Sequence, residues 1–252
     1  MKRGIATRGR VARMVSGAEG IEIKATIPEA QIDKALVRFN LNADNDQDRF
    51  IYFFDTPALD LLTGGIVARA RRIIGGEHDS TVKARPVIPE AVSADWKKYR
   101  GFKIEADASE KGVVKSASLT MPVDKGLIKA VIAGEKAIPK LFKKEQEAFI
   151  AEMVKGKIDY SAVAILGPLH AQRWKLYDSG CPWRITVELW RREDGARLME
   201  ASIKASVEQA ALAIGGFMAF LAEMGAERDT EQQTKTRWAL EYYAAKIGGK
   251  KG

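Results

Sequence analysis

The feature that most restricts the fold is an alternation of charged and apolar residues that recurs along the chain. In the segment VARAR, Arg69 and Arg71 alternate with Ala68 and Ala70. Successive side chains of a β-strand point to opposite faces, so this spacing predicts a strand with one charged and one apolar face. Seven segments show the pattern; the other six contain Glu22 and Lys24; Lys83 and Arg85; Lys103, Glu105 and Asp107; Arg173 and Lys175; Arg184 and Glu188; and Glu200 and Lys204.

The chemistry of this shared face favours an enclosed site. A single strand with this pattern could belong to an ordinary antiparallel sheet whose polar face lies in water. Such faces usually mix Thr, Ser, Gln and Lys, whereas Arg, Lys and acidic groups dominate here, and these bind phosphate oxygens and hard metal ions. Closing about eight strands into a barrel gives a lumen that holds side chains or one small ligand. The pattern therefore predicts a barrel with a charged lumen.

The charged positions are predominantly basic, which predicts an anionic ligand. The basic ones are Lys24, Arg69, Arg71, Lys83, Arg85, Lys103, Arg173, Lys175, Arg184 and Lys204. The acidic ones are Glu22, Glu105, Asp107, Glu188 and Glu200. Crowded like charges outside bulk water are costly unless a ligand compensates them. The carboxylates are suitable ligands for Mg²⁺ or Mn²⁺, which can bridge phosphate oxygens.

Turn and cap residues divide the chain into predicted elements of an α+β fold. Strands are predicted near 20–26, 49–54, 66–73, 80–85, 101–108, 162–167, 171–178, 183–191 and 198–205. A helical turn is predicted after Thr56, and Asp124 and Pro139 open two helices of an insertion between strands, about 123–157. Ser206 and Gln209 form a capping-box pattern for a helix over 207–224, and a last helix covers about 230–246.

Charge and composition exclude several classes of protein. One cysteine and two histidines make a disulfide framework, a zinc site or a nucleophilic triad improbable. No apolar run approaches the roughly 20 residues that a membrane span needs. The net charge is +8, but residues 1–16 alone contribute five basic groups and no acid. The nearly balanced body argues against a surface that tracks nucleic acid. The single cysteine fits a reducing compartment, so we expect a cytoplasmic protein.

These observations predict one large domain. We expect residues 1–18 to form a basic flexible arm, residues 19–246 to form a single barrel domain, and residues 247–252 to form a tail. A homodimer is compatible with the sequence.

Two stretches resemble the CYTH domain, or triphosphate tunnel metalloenzyme, superfamily. GIEIK, 20–24, is similar to the family's Glu-x-Glu-x-Lys strand, and IYFFDTPALDLLTGGIVARARR, 51–72, resembles its Tyr-Phe-Asp-Thr-Pro, short helix, Gly-Ile and Arg-x-Arg run. TVKAR, FKIEAD, RWK, ITVEL and EASIK then stand where the later tunnel strands are expected. The resemblance covers about residues 20–245.

The resemblance implies an eight-stranded antiparallel tunnel and metal-dependent chemistry on triphosphates. By this resemblance, the phosphate groups would be bound by Lys24, Arg69, Arg71, Lys83 and Arg173. The metal would be Mg²⁺ or Mn²⁺, with the ligands Glu22, Glu105, Asp107, Glu188 and Glu200. Glu22, Glu105 and Glu188 would be the catalytic carboxylates. Gly20 replaces the first signature glutamate, and Ser202 and Lys204 stand where acids often continue, which puts a second metal in doubt.

Three functions are consistent with the resemblance. The first is a metal-dependent triphosphatase acting on a triphosphate or polyphosphate ligand. The second is a protein that binds polyphosphate or a nucleoside triphosphate without turning it over. The third is a class-IV-type adenylyl cyclase, although no residue specifies adenine.

Overall fold

Nine β-strands of the chain close into a barrel. The computed structural model describes residue 9 and residues 11–44, 46–109, 112–154, 158–177, 180–226 and 234–249. The strands are β1 Gly20–Ile27, β2 Gln47–Asp55, β3 Ile66–Ile73, β4 Asp79–Ala84, β5 Phe102–Ser109, β6 Gly112–Pro122, β7 Ala164–Leu176, β8 Ile185–Arg191 and β9 Arg197–Ala205. Around the barrel they follow the order β1-β5-β6-β4-β3-β2-β7-β8-β9.

The N-terminal strand closes the ring between β5 and β9. It runs parallel to β5, with Glu22 opposite Asp107, and antiparallel to β9, with Glu22 opposite Lys204. All other neighbouring strands are antiparallel. The predicted α+β barrel with flanking helices is thus confirmed. The prediction of eight antiparallel strands is wrong, because the barrel has nine strands and one parallel pair.

Two further differences concern single strands. β6 was not predicted, because its inward positions carry Ser116, Ser118 and Thr120 and no alternating charge. Conversely, the predicted segments 162–167 and 171–178 belong to one strand, β7, within the described residues. A register shift interrupts β7 at Gly167, where a Cβ atom would lie 2.9 Å from the carbonyl oxygen of Ile51.

Six helices surround the barrel in the described ranges, besides short 3₁₀ turns and a helical stretch at 11–15. They are α1 Ile32–Arg38, α2 Asp60–Thr63, α3 Lys125–Ile132, α4 Lys144–Val154, α5 Ala210–Glu223 and α6 Lys235–Gly248. The insertion lies between β6 and β7 as predicted; its last residues, 155–157, fall outside the described ranges. None of the described helices is long and apolar enough to cross a lipid bilayer.

Several helix starts differ from the prediction. Asp124 caps α3 as expected, accepting a hydrogen bond from the Leu127 amide at 3.1 Å. Pro139 opens only a 3₁₀ turn, and α4 begins later, at Lys144. The capping box at Ser206 is wrong, because α5 begins at Ala210 without a side-chain cap. The helical turn predicted directly after Thr56 begins only at Asp60, the first residue of α2.

Asp55, at the end of β2, organises that turn. Its carboxylate accepts hydrogen bonds from the backbone amides of Thr56, Leu61 and Leu62 at 2.8–2.9 Å. The first amides of a helix have no carbonyl partner within the helix, and here the Asp55 carboxylate accepts their hydrogen bonds. The Asp-Thr-Pro sequence therefore fixes the connection between β2 and α2.

The outward faces of the strands form the hydrophobic core with the helices. Ile21, Ile23 and Ile27 of β1 pack in one cluster with Phe217 of α5, and this cluster includes the fully buried Val15 of the arm. The last part of the predicted arm therefore packs against the barrel. Residues 1–8 and 10 of that arm lie outside the described residues. Since the outward faces hold the core, the charged faces line the lumen.

Helix α6 covers part of one end of the lumen. Leu240 and Tyr243 form a buried cluster with the inward-facing Phe53, Leu169 and Trp190. The Tyr243 hydroxyl donates a 2.6 Å hydrogen bond to the carbonyl oxygen of Pro168. The lumen is consequently apolar beneath α6 and charged elsewhere.

Candidate functional site

A buried carboxylate, Asp107 of β5, holds together one side of the lumen. Its side chain is 2% exposed and lies 2.6 Å from Lys24 Nζ and 2.9 Å from Lys83 Nζ. Ser116 Oγ donates a 3.1 Å hydrogen bond to it, and Arg85 lies 3.9 Å away. Strands β1, β4 and β6, with Arg85 directly after β4, thus bring four polar side chains to the carboxylate of β5.

The pKa values of this cluster follow from burial and mutual attraction. Burial opposes ionisation of Asp107, but Lys24 and Lys83 lower its pKa far below the ordinary value. Burial likewise disfavours the charged form of Lys24, but Glu22 and Asp107 raise its pKa above the ordinary value. The pKa of Lys83 is lowered by burial, which outweighs the attraction of Asp107, and by Lys24 beside it. The cluster keeps excess positive charge.

A second cluster lies on β8 and β9, where Glu188 and Glu200 stand directly opposite each other. Lys235, the first residue of α6, places its Nζ 2.5 Å from Glu188 Oε2 and 2.7 Å from Glu200 Oε1. Arg49 and Arg173 approach the other oxygen of Glu188 at 3.7 and 3.9 Å. Burial opposes ionisation of Glu188, yet Lys235 and Arg49 lower its pKa well below the ordinary value.

The two inward-facing arginines of β3 have contrasting surroundings. Arg71 forms a two-pronged ion pair with Asp79 of β4, at 2.9 and 2.7 Å. Arg69 has no ion pair or hydrogen bond to any described residue, and its Nε is buried. Burial, together with the nearby Arg71, lowers the pKa of Arg69 to about 10. Arg69 is a partly buried cation that has no ion pair among the described residues, although Asp79 and Glu188 attract it from a greater distance.

The remaining predicted basic residues lie on or next to the lumen strands and are exposed. Lys204 pairs with Glu105 at 2.5 Å, while Arg184 lies over the ring of Tyr177 with its Cζ 5.8 Å from the centroid. Lys103 and Lys175 are exposed on the same strand faces as Asp107 and Arg173. These four cations occupy one end of the barrel, where an anion would first meet the protein.

Comparison with known proteins supports this architecture. No family model and no curated protein sequence matches the chain. Solved structures do: a "putative adenylate cyclase" from Bacillus halodurans has 13% identity and a TM-score of 0.60 over 88% of this chain and 97% of its own. A "putative adenylyl cyclase" from Hippeastrum, described as having a dominant triphosphatase activity, has 18% identity and a TM-score of 0.59 over 88% and 94%. The chain shares the fold of these two proteins, in agreement with the predicted resemblance to the CYTH superfamily.

Within this fold, several residues of the lumen were not predicted from the sequence. They are Arg49, Asp79, Thr81, Ser116 and Lys235. Arg49 precedes an apolar run, FIYFF, that hides the alternation of β2, and Asp79 follows a turn. Lys235 begins a helix, so no strand pattern could mark it. Only the three-dimensional packing of α6 brings it to Glu188 and Glu200.

The carboxylates do not fit a resident divalent cation as they are arranged. Each of the five predicted ligands lies within 3.0 Å of a lysine Nζ: Glu22, Glu105, Asp107, Glu188 and Glu200. Among the described residues, no three Asp, Glu, His or Cys side chains form a group that could hold a metal ion. The assignment of these residues as metal ligands, and of Glu22, Glu105 and Glu188 as catalytic groups, stays a prediction.

Proposed function

We propose that the lumen binds a triphosphate or polyphosphate anion and that the chain hydrolyses a phosphoanhydride bond of this ligand. The observation that carries the proposal is a set of inward-facing arginines, Arg49, Arg69 and Arg173, whose Nε atoms are buried and have no hydrogen-bond partner among the described residues. A buried donor without a partner is costly, and phosphate oxygens are the acceptors that arginine binds best. The triphosphatase activity described for the Hippeastrum protein of the same fold supports the choice of reaction.

The lumen residues would act through charge and position. Phosphoryl transfer depends chiefly on neutralising the phosphate oxygens and aligning the attacking water with the leaving group. Arg69, Lys83 and Lys24 come from three different strands, so together they can contact different oxygens of one extended anion. The exposed lysines at the end of the barrel would draw the anion in by long-range attraction.

Binding without turnover is the second candidate function, and a specific observation favours it. Asp107 and Glu188 are both ionised and engaged by ammonium or guanidinium groups. A carboxylate whose pKa is strongly lowered is a weak base, so neither residue in this arrangement is suited to activating water. Such a lumen could hold a triphosphate tightly and leave it intact.

A panel of ligands separates the candidates. Inorganic triphosphate, ATP, thiamine triphosphate and long-chain polyphosphate are each incubated with Mg²⁺, Mn²⁺ or EDTA, and phosphate, pyrophosphate and cyclic nucleotide are measured. Release of phosphate supports the triphosphatase, and tight binding without any product supports the binding protein. Formation of cyclic nucleotide would contradict both candidates and indicate that the protein is an adenylyl cyclase. Absence of both binding and product contradicts the proposal. The Mg²⁺ or Mn²⁺ requirement, the cytoplasmic location and a homodimer stay predictions.

A further inference from the structure

Lys235 is the only residue of α6 that the structure places in ion pairs with lumen carboxylates among the described residues. Its Nζ lies 2.5 Å from Glu188 and 2.7 Å from Glu200, and the side chain is 17% exposed. The indole ring of Trp190 lies beneath the ammonium group, 5.1 Å from Nζ to the ring centroid. Two acidic side chains and one aromatic face therefore surround a single cation.

The two glutamates need a cation between them. They face each other across neighbouring strands, and like charges directly opposite in a sheet repel. Removing them from water increases the cost of that repulsion. An ammonium group has three donors and can bind both carboxylates at once. Two neighbouring carboxylates are also a usual part of the oxygen cage of a divalent cation. Lys235 and a metal ion would thus compete for the same oxygens.

The competition favours the lysine for two reasons. Lys235 is attached to a helix that is anchored by Leu240 and Tyr243 in a buried cluster, so its effective concentration at the pair is high. A metal ion that displaced it would also leave a partly buried ammonium group without its two partners, which costs more than losing a surface ion pair.

We propose that Lys235 serves as a tethered cation at the Glu188–Glu200 pair, in the position that a divalent metal would require, and so excludes the metal from this part of the lumen. The inference concerns metal binding to the protein alone and does not depend on turnover of a triphosphate. It distinguishes this chain from a tunnel in which both glutamates coordinate a metal.

The test is a Mn²⁺ titration of the protein without phosphate ligands. Binding is monitored by electron paramagnetic resonance of free Mn²⁺ and by calorimetry. Lys235→Met keeps much of the side-chain length but removes the charge. We expect it to gain a Mn²⁺ site at least tenfold tighter than any wild-type site, and we expect Lys235→Met/Glu200→Gln to lose this gain. Lys246→Met is the matched control, because Lys246 lies on the same helix but pairs with Glu193 at the surface; its Mn²⁺ binding should equal that of wild type.

Two results would overturn the inference: equal Mn²⁺ affinity in wild type and Lys235→Met, or a gained site that persists after Glu200→Gln.

If Lys235→Met does not fold, the wild-type chain provides the test through acylation of Lys235, quantified by mass spectrometry. If the Lys235 ammonium group stays bound to Glu188 and Glu200, millimolar Mn²⁺ should leave the acylation rate of Lys235 unchanged. A rate that rises with Mn²⁺ would show displacement by the metal and contradict the inference.

Discussion

Arg69 and Arg71 lie two residues apart on one face of β3, but only one of them is electrostatically satisfied. Arg71 is held by Asp79, whereas Arg69 has no anionic partner among the described residues. A paired arginine must break an existing interaction to bind a ligand, and an unpaired buried one gains by binding it. Arg69 is therefore expected to contribute more net affinity for an anion than Arg71.

Arg69→Gln should weaken triphosphate binding and leave the folded protein as stable or more stable. The lost charge-assisted hydrogen bonds are worth about 1.5–3 kcal/mol, which corresponds to a rise in Kd of roughly 10- to 100-fold. Stability should not fall, because the substitution removes an uncompensated buried charge. Calorimetric titration and thermal unfolding measure the two effects.

Arg72→Gln provides the control for this substitution. Arg72 points to the opposite face of β3, with its Cζ 4.5 Å from the ring centroid of Phe50. Its triphosphate affinity should match that of wild type. Equal weakening by both substitutions would mean that the loss reflects general electrostatics and that Arg69 does not contact the ligand.

At the scale of elements, α4 is attached to the barrel by one buried polar side chain. Gln146 donates hydrogen bonds to the carbonyl oxygens of Ser80 and Leu119, each at 3.1 Å, and accepts one from Ser80 Oγ at 3.0 Å. It is fully buried. The insertion is thus joined to β4 and β6 by directional contacts as well as by apolar packing.

Gln146→Ala should destabilise the chain by about 1–3 kcal/mol, because it leaves buried groups of β4 and β6 without this partner. Urea unfolding monitored by tryptophan fluorescence measures the change. Glu147→Ala, at an exposed position of the same helix, should alter stability by less than about 0.5 kcal/mol. Similar losses in both variants would show that the buried contacts of Gln146 are not responsible.

The attachment of α6 gives stability a dependence on alkaline pH. Burial raises the pKa of Tyr243 to about 12, against about 10 for a free tyrosine. Since the folded-state pKa is the higher one, the stabilising contribution of the neutral phenol is complete below about pH 10 and is lost as the pH rises towards 12.

Tyr243→Phe should therefore be less stable than wild type by about 1 kcal/mol at pH 8, where the hydrogen bond to Pro168 is intact. The difference in unfolding free energy should shrink, and then change sign, as the pH passes from about 10 to 12. Urea unfolding at pH 8, 10 and 11 gives the comparison. A difference that stays constant over this range would contradict the assigned role of the buried hydroxyl.

Individual strands and helices differ in how well the sequence predicts them. Strands with alternating charges, such as β3 and β5, were predicted because their two faces differ chemically. β6 was not, since Ser116 and Ser118 on its inward face resemble residues of any solvated strand or loop. The parallel pairing of β1 with β5 is a choice of neighbour, which strand periodicity does not specify. Lys235 reaches the lumen through tertiary packing alone.

For the molecule as a whole, a triphosphate should stabilise the folded chain far more than a monophosphate does. A ligand that binds only the folded lumen stabilises it by mass action, by about 2.7 kcal/mol at 100 times its Kd. For a domain of this size that corresponds to a rise in Tm on the order of 5–10 °C. Thermal unfolding with equal concentrations of triphosphate, pyrophosphate and phosphate measures it. Equal shifts from all three anions would contradict a site that binds an extended anion.

The position of β1 in the ring has a consequence for how the chain acquires its structure. β1 is the first strand to be synthesised, yet one of its neighbours is β9, the last. Ring closure must therefore await nearly the whole polypeptide, and contacts so distant in sequence slow folding. Until then the edge of β1 that faces β9 in the finished barrel has no partner strand, and another chain could add a strand to it. The closed lumen is thus gained at the end of folding, after a period in which the nascent protein is open to aggregation.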